Sequence, residues 1–183
     1  LAAGAIPLAL LGLRFGLKPA ACLLLCAGYW MYPFMTQLSF CDGRGPHAEG
    51  LAIPFVIAAF YSLSARRLGA FAVFASIACL AKEDVPLVFI FLGIYLFVFE
   101  KQRRLGLAVT AISIIVFALI TAVAMPWAAG EAGYRYSTRY AGLGDGMVGI
   151  AFSPILRPNV FWPRLLGAHS AIMILWLTAP ICF

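Results

Sequence analysis

From residue 105 to residue 130 the chain runs for twenty-six residues without a charged side chain, and from 19 to 41 it does so for twenty-three. A helix rises about 1.5 Å per residue and the hydrocarbon core of a bilayer is roughly 30 Å thick, so about twenty apolar residues cross it. Further uncharged runs occupy 1–13, 50–65, 68–81, 85–99 and 165–183. Backbone polar groups inside a bilayer must bond within their own segment, which leaves helices as the fold for runs of this kind. The expected class is all-α, a multi-pass integral membrane helical bundle of about six to seven segments. Composition agrees, since 64% of residues are hydrophobic and only 11% charged, whereas soluble domains carry about a quarter.

Three of the runs, 50–65, 68–81 and 85–99, are too short to cross comfortably. The first and last look truncated. The chain starts at Leu1 without a Met and ends at Phe183 within an apolar run, so it is expected to be a fragment of a longer chain, 1–183 forming a single transmembrane domain. No N-terminal signal stands apart, and no repeat or flexible linker divides the chain.

Alternating the connections from side to side separates the charges. One side receives Arg14, Lys18, Arg66, Arg67, Lys101, Arg103 and Arg104, with Glu100 as its only acid; the other carries six basic and six acidic residues. The positive-inside rule then places Arg66–Arg67 and Glu100–Arg104 in the cytoplasm, and Cys41–Glu49 and Gly130–Gly146 outside a plasma (inner) membrane. The basic face suits anionic membrane lipids. With no basic–aromatic surface helix, nucleic acid is not an expected partner. The five cysteines show no metal-ligand spacing, so neither a zinc site nor a disulfide framework is expected.

Against this scarcity of charge, Lys82, Glu83 and Asp84 stand together in "LAKEDVPL". Counted in helical rise from the nearest cytoplasmic charges, Lys82, Asp84 and Glu49 all stand roughly 22–26 Å above the inner interface. Charges at that depth are costly unless they pair or face water. Short helices ending below the outer surface, with non-helical backbone between Ala81 and Asp84 lining a cleft, satisfy this. Asp84 is placed to N-cap the next helix, with Pro86 in its first turn. In "CDGRGPHAEGLAIP", His47 and Glu49 stand where a turn-rich loop meets a helix. A His, carboxylates and a Lys in one cleft can bind phosphate, hold a divalent cation or move a proton. In the outer loop, Tyr134, Tyr136 and Tyr140 interleave with Arg135 and Arg139. Aromatic faces suit sugar rings and arginines suit phosphates, and Gly142, Gly144 and Gly146 suit a flexible lid. Each cluster also has a bland reading: a solvated hairpin, a surface loop and an aromatic girdle.

"HAEGLAIPF", a double-basic turn, "LAKEDVPL", "GIYLF" and "RYSTRYAGLGD" resemble a prokaryotic family of membrane proteins, domain of unknown function 2079, from about Met31 to Asp145. The family's motifs fall on His47, Glu49, Leu51, Ala52 and Pro54, on Lys82, Glu83 and Asp84, and on Arg139, Tyr140, Leu143 and Gly144. The family is distantly similar to GT-C membrane glycosyltransferases, which take sugars from polyprenyl-phosphate donors at the outer face. The resemblance implies a transferase in which Lys82, with Arg135 or Arg139, holds the departing lipid-linked phosphate. Glu83, Asp84 or Glu49 would orient the acceptor hydroxyl or a metal, and the base would be an Asp upstream of Leu1. Where an aromatic–Asp–aromatic run is expected ahead of His47, "GRGP" stands instead. A proton-coupled carrier that uses the Lys-Glu-Asp cluster is the rival reading, and a non-catalytic membrane scaffold the third.

Overall fold

The computed structural model describes residues 2–32, 48–129, 142–144, 146–167, 170 and 172–175. Among these the chain is all-α, and it falls into two compact units, 1–123 and 124–183.

Among the described residues the first unit holds three successive helical hairpins. After a 3₁₀ turn at Ala2–Gly4, α1 (Ala5–Arg14) pairs with α2 (Pro19–Met31), α3 (Ala48–Ser64) with α4 (Leu68–Ala81), and α5 (Val85–Val98) with α6 (Arg103–Leu119). Contact between α4 and α5 is slight, while α1 lies against α3. The two turns that close α1–α2 and α3–α4 are built alike. Gly16 N–H donates to the Leu13 carbonyl and Leu17 N–H to that of Gly12; likewise Arg66 N–H donates to Leu63 and Arg67 N–H to Ser62. This is the Schellman pattern, in which one left-handed residue satisfies two orphaned carbonyls. Gly16 holds that place at φ 81° and Arg66 at φ 57°. The third turn also has a left-handed residue, Lys101 at φ 56°, and it closes with Gln102 N–H donating to the Leu96 carbonyl.

The interior of this unit is built largely from small residues. Ala52, Ala59 and Ala78 are buried between α3 and α4, flanked by Phe55 stacked on Phe74 with ring centroids 6.3 Å apart. Between α5 and α6 the approach is closer still. A Cβ on Gly93 would meet Thr110 Oγ1 and stand 2.8 Å from the Gly106 carbonyl oxygen, and one on Gly106 would stand 2.6 Å from Phe97 N. The two backbones touch, as membrane helices do where small residues let them. Large side chains point outward, Leu80 being 85% exposed, with Leu23, Leu24, Leu107 and Ile115 exposed as well. Small residues inside and large aliphatic residues outside reverse the order of a water-soluble protein and suit a lipid surround.

Among the described residues one helical stretch, Arg103–Ala128, is long and apolar enough to cross a membrane: it has 26 residues, and its most apolar 18 residues have a mean hydropathy of 2.7 with only 11% of them buried. It matches the expected span 105–130. Within it a π turn, Ile120–Ala124, precedes α7 (Met125–Ala129). Pro126 cannot donate to the Ala122 carbonyl, and the widened turn absorbs that loss. Thr121 Oγ1 donates to the Phe117 carbonyl at 2.8 Å alongside it. The other apolar helices hold 10–17 residues, short of a crossing by themselves, as the sequence anticipates for 50–65, 68–81 and 85–99. The expected span 19–41 is described only as far as residue 32, and most of 165–183 lies outside the described residues.

In the second unit α8 (Gly146–Leu156) is followed by α9 (Pro158–Leu165). Arg157 Nη1 donates to the Gly142 carbonyl at 3.1 Å, and Leu143 is buried. A Cβ on Gly144 would stand 2.6 Å from the Gly149 carbonyl oxygen. Gly142, at φ 91°, takes a left-handed backbone. These two glycines therefore serve a turn and a close backbone approach, a firmer requirement than the flexibility expected of a lid.

Candidate functional site

Helix α4 stops at Ala81, five residues before Pro86, where three consecutive charges and a proline together disfavour continuation. A continuous helix would drive the Pro86 ring into the Lys82 carbonyl and leave that carbonyl without a donor. The chain breaks instead. Lys82 is extended at φ −154°, ψ 144°, Val85 N–H donates back to its carbonyl at 3.3 Å, and α5 begins with Pro86 in its first turn. The non-helical backbone expected between Ala81 and Asp84 is present.

Asp84 occupies the N-cap position of α5, but its side chain makes no capping bond. Its backbone is already near helical, at φ −91°, ψ −14°, whereas a capping residue is usually extended so that its side chain can turn back over the first turn. The carboxylate instead meets Lys82, with Nζ–Oδ2 at 3.3 Å and side-chain exposures of 25% for Lys82 and 56% for Asp84. Glu83 is partly buried and forms no ion pair among the described residues. The break rests on a closed floor, since Ala78, Val85 and Pro86 are buried beneath it.

Glu49 lies in the first turn of α3, three residues before Ala52, which shares a buried cluster with Ala78 and Val85. Helix register therefore brings Glu49 to the same end of the unit as Lys82, Glu83 and Asp84. His47, Arg135, Arg139 and Tyr140 lie outside the described residues. Of the Arg-Tyr…Leu-Gly motif, Leu143 and Gly144 have the packing roles given above. Among the described residues no three of His, Cys, Asp and Glu gather as a metal-binding cluster.

The opposite end holds a feature that sequence reasoning missed, a cavity of about 1460 Å³. It is lined by residues from all three hairpin turns, among them Arg14, Phe15, Arg66, Glu100 and Gln102. One wall is a stripe of α5 at helical spacing: Val88, Phe91, Leu92, Tyr95 and Leu96. Tyr95 Oη donates to Glu100 Oε1 at 3.3 Å. Among the described residues neither Arg14 nor Arg66 has an acidic side chain in ion-pair reach. The stripe and the basic turns can both be read in the sequence; their convergence depends on tertiary packing.

No curated protein and no solved structure matches the chain. A family described as predicted membrane proteins, DUF2079, matches residues 1–183, extending in both directions the 31–145 stretch that carried the resemblance. With small residues inside, aliphatic ones outside and the Lys-Glu-Asp break between short helices, the chain belongs to the DUF2079 family of predicted membrane proteins.

Proposed function

We propose that this protein transfers a sugar from a polyprenyl-phosphate donor, with the α4–α5 break as part of the site at the outer face of the membrane. The observation that carries the reading is the Lys82–Asp84 pair at 3.3 Å on a helix break, at the end of the unit away from the basic turns. Charges are otherwise kept out of the apolar spans, and intramembrane ionisable groups mark functional positions more often than structural ones. The resemblance described above, with its link to GT-C enzymes, supports the choice of a transferase over other uses of such a cluster.

In this reading Lys82 receives the phosphate released from the donor, and Arg135 or Arg139 of the outer loop adds a second cation. A compact ammonium suits a leaving phosphate as a point charge. Once a phosphate competes for Lys82, the Asp84 carboxylate is released to orient the acceptor hydroxyl, a task shared with Glu83, Glu49 and His47. Tyr140 offers an aromatic face to the sugar ring. A divalent cation held by these carboxylates would add charge stabilisation at the same phosphate.

The test is sugar transfer by the full-length protein in proteoliposomes, with a panel of polyprenyl-phosphate sugars. Lys82→Ala and Asp84→Asn are expected to lower turnover at least a hundredfold, in the range typical of losing one positioned polar group. Absence of turnover across the panel, together with unchanged cellular glycans on deletion, would sink the reading. A proton-coupled flux that needs Glu83 or Asp84 would replace it with the carrier.

A further inference from the structure

The cavity at the other end of the first unit is independent of that site and carries an inference of its own. Its volume, about 1460 Å³, exceeds the roughly 300–1,000 Å³ typical of small-molecule pockets. Its wall is a continuous apolar stripe along α5, from Val88 to Leu96, and its polar groups gather at the turn end. Apolar length with a polar head is the outline of a lipid.

The charge at that head is unbalanced. Arg14 and Arg66 line it with no acid in ion-pair reach among the described residues, and the one carboxylate present, Glu100, accepts a hydrogen bond from Tyr95. Arg66 adds a second, separate observation. It stands where α1 has Gly16, in the same Schellman turn and with a left-handed backbone. Glycine takes that conformation freely; for a residue with a Cβ it costs about 1–2 kcal/mol. Lys101 shares that backbone outside the cavity, so it is the strain together with the place of Arg66 in the cavity lining that points to use of its side chain.

We propose that this cavity binds one anionic phospholipid from the leaflet that meets the basic turns. Arg14 and Arg66 engage its phosphate, Gln102 adds an amide donor, and an acyl chain lies along Val88, Phe91, Leu92 and Leu96. Basic pockets between membrane helices recognise lipid headgroups in this manner, and guanidinium pairs bidentately with phosphate oxygens.

The experiment is native mass spectrometry of the full-length protein released from nanodiscs of phosphatidylglycerol mixed with phosphatidylcholine. One phosphatidylglycerol is expected to remain per chain. Arg66→Gly and Arg14→Gln should each lower its retention about tenfold, the loss of one charge-assisted contact. Arg66→Lys should keep most of it, and Arg103→Gln with Arg104→Gln, which changes basic residues outside the cavity, should change it less than twofold. Because glycine relieves the Arg66 backbone, Arg66→Gly should melt no lower than the wild type in phosphatidylcholine, which separates lost binding from lost folding. Three results would each overturn the proposal: full retention by both Arg14→Gln and folded Arg66→Gly, equal loss in the Arg103/Arg104 variant, or displacement of the lipid by millimolar inorganic phosphate.

Discussion

The two ends of the first unit solve the problem of charge in opposite ways. At the α4–α5 break, Lys82 and Asp84 neutralise each other within three residues of chain, above a floor of small and apolar side chains. At the turn end, basic residues from separate hairpins converge on one cavity with a single carboxylate among its lining residues. One end pairs Lys82 with Asp84 and leaves Glu83 without an ion pair among the described residues; the other sets two arginines against one carboxylate and remains basic until something from outside supplies negative charge. The difference also sets rigidity. The turn end is closed by α5–α6 backbone contact and by hydrogen-bonded turns, whereas the break joins two hairpins whose adjoining helices, α4 and α5, touch only slightly.

The largest effect is expected from forcing the turn end apart. In Gly106→Leu the new Cβ would meet Phe97 N at 2.6 Å and the Gly93 carbonyl oxygen at 2.7 Å. Backbone cannot rotate away as a side chain can, so α5 and α6 must separate, at about 3 kcal/mol, the upper part of the range for overpacking. A steric-trapping or detergent-unfolding measurement reads this loss. Unchanged stability would mean that the two backbones are not in contact.

Next comes the aromatic contact between α4 and α5. Phe89 is 2% exposed and meets Phe71 of α4 edge-on, with centroids 5.9 Å apart. Phe89→Ala in a water-soluble core costs about 3–5 kcal/mol through transfer and cavity terms together. In lipid the transfer term nearly vanishes, because the surround is as apolar as the core. The expected loss is then about 2 kcal/mol by the same unfolding assay, below that of Gly106→Leu. A loss near 5 would indicate that water, not lipid, surrounds this contact.

Arg66→Gly should act in the other direction. Relief of the left-handed arginine gains about 1–2 kcal/mol, and the added freedom of glycine in the unfolded chain returns about half of that. The net is a gain of roughly 0.5–1 kcal/mol in lipid without net charge, read as a higher melting midpoint. The equivalent turn of α1 is the control, since Gly16→Arg should lose what Arg66→Gly gains.

These contrasts also separate what the sequence carries from what packing adds. The break could be read because its causes are adjacent: three charges between apolar runs, then Pro86, which cannot donate to the Lys82 carbonyl. The capping role expected of Asp84 failed for a local reason, since residue type gives the likelihood of a cap but the backbone angles of Asp84 decide it. Gly93 and Gly106 stand thirteen residues apart, and nothing local says that they meet; their contact follows from how α5 and α6 fold back on each other. The cavity is further from view, because it needs three hairpins in register and a left-handed arginine where the usual signal would be glycine. Of the candidate site, Lys82, Glu83, Asp84 and the start of α3 share one end of the unit, while His47, Arg135, Arg139 and Tyr140 lie outside the described residues.

The smallest expected effect falls on the Lys82–Asp84 pair itself. At 3.3 Å, with Asp84 more than half exposed, the pair contributes about 0.2–1 kcal/mol if screened as surface pairs are. Lys82→Ala, Asp84→Asn and the double variant form a cycle whose coupling term isolates the pair from the effects of each single change. A coupling below 1 kcal/mol, with folding intact in all three variants, leaves the charges structurally dispensable. Two such charges between apolar helices then require another reason, and substrate contact supplies one. A coupling of 3 kcal/mol or more would instead make the pair a structural clasp in a dry setting, because breaking a buried pair costs that much. The hairpin would then account for its own charges, and the main argument for chemistry at this end of the molecule would be gone.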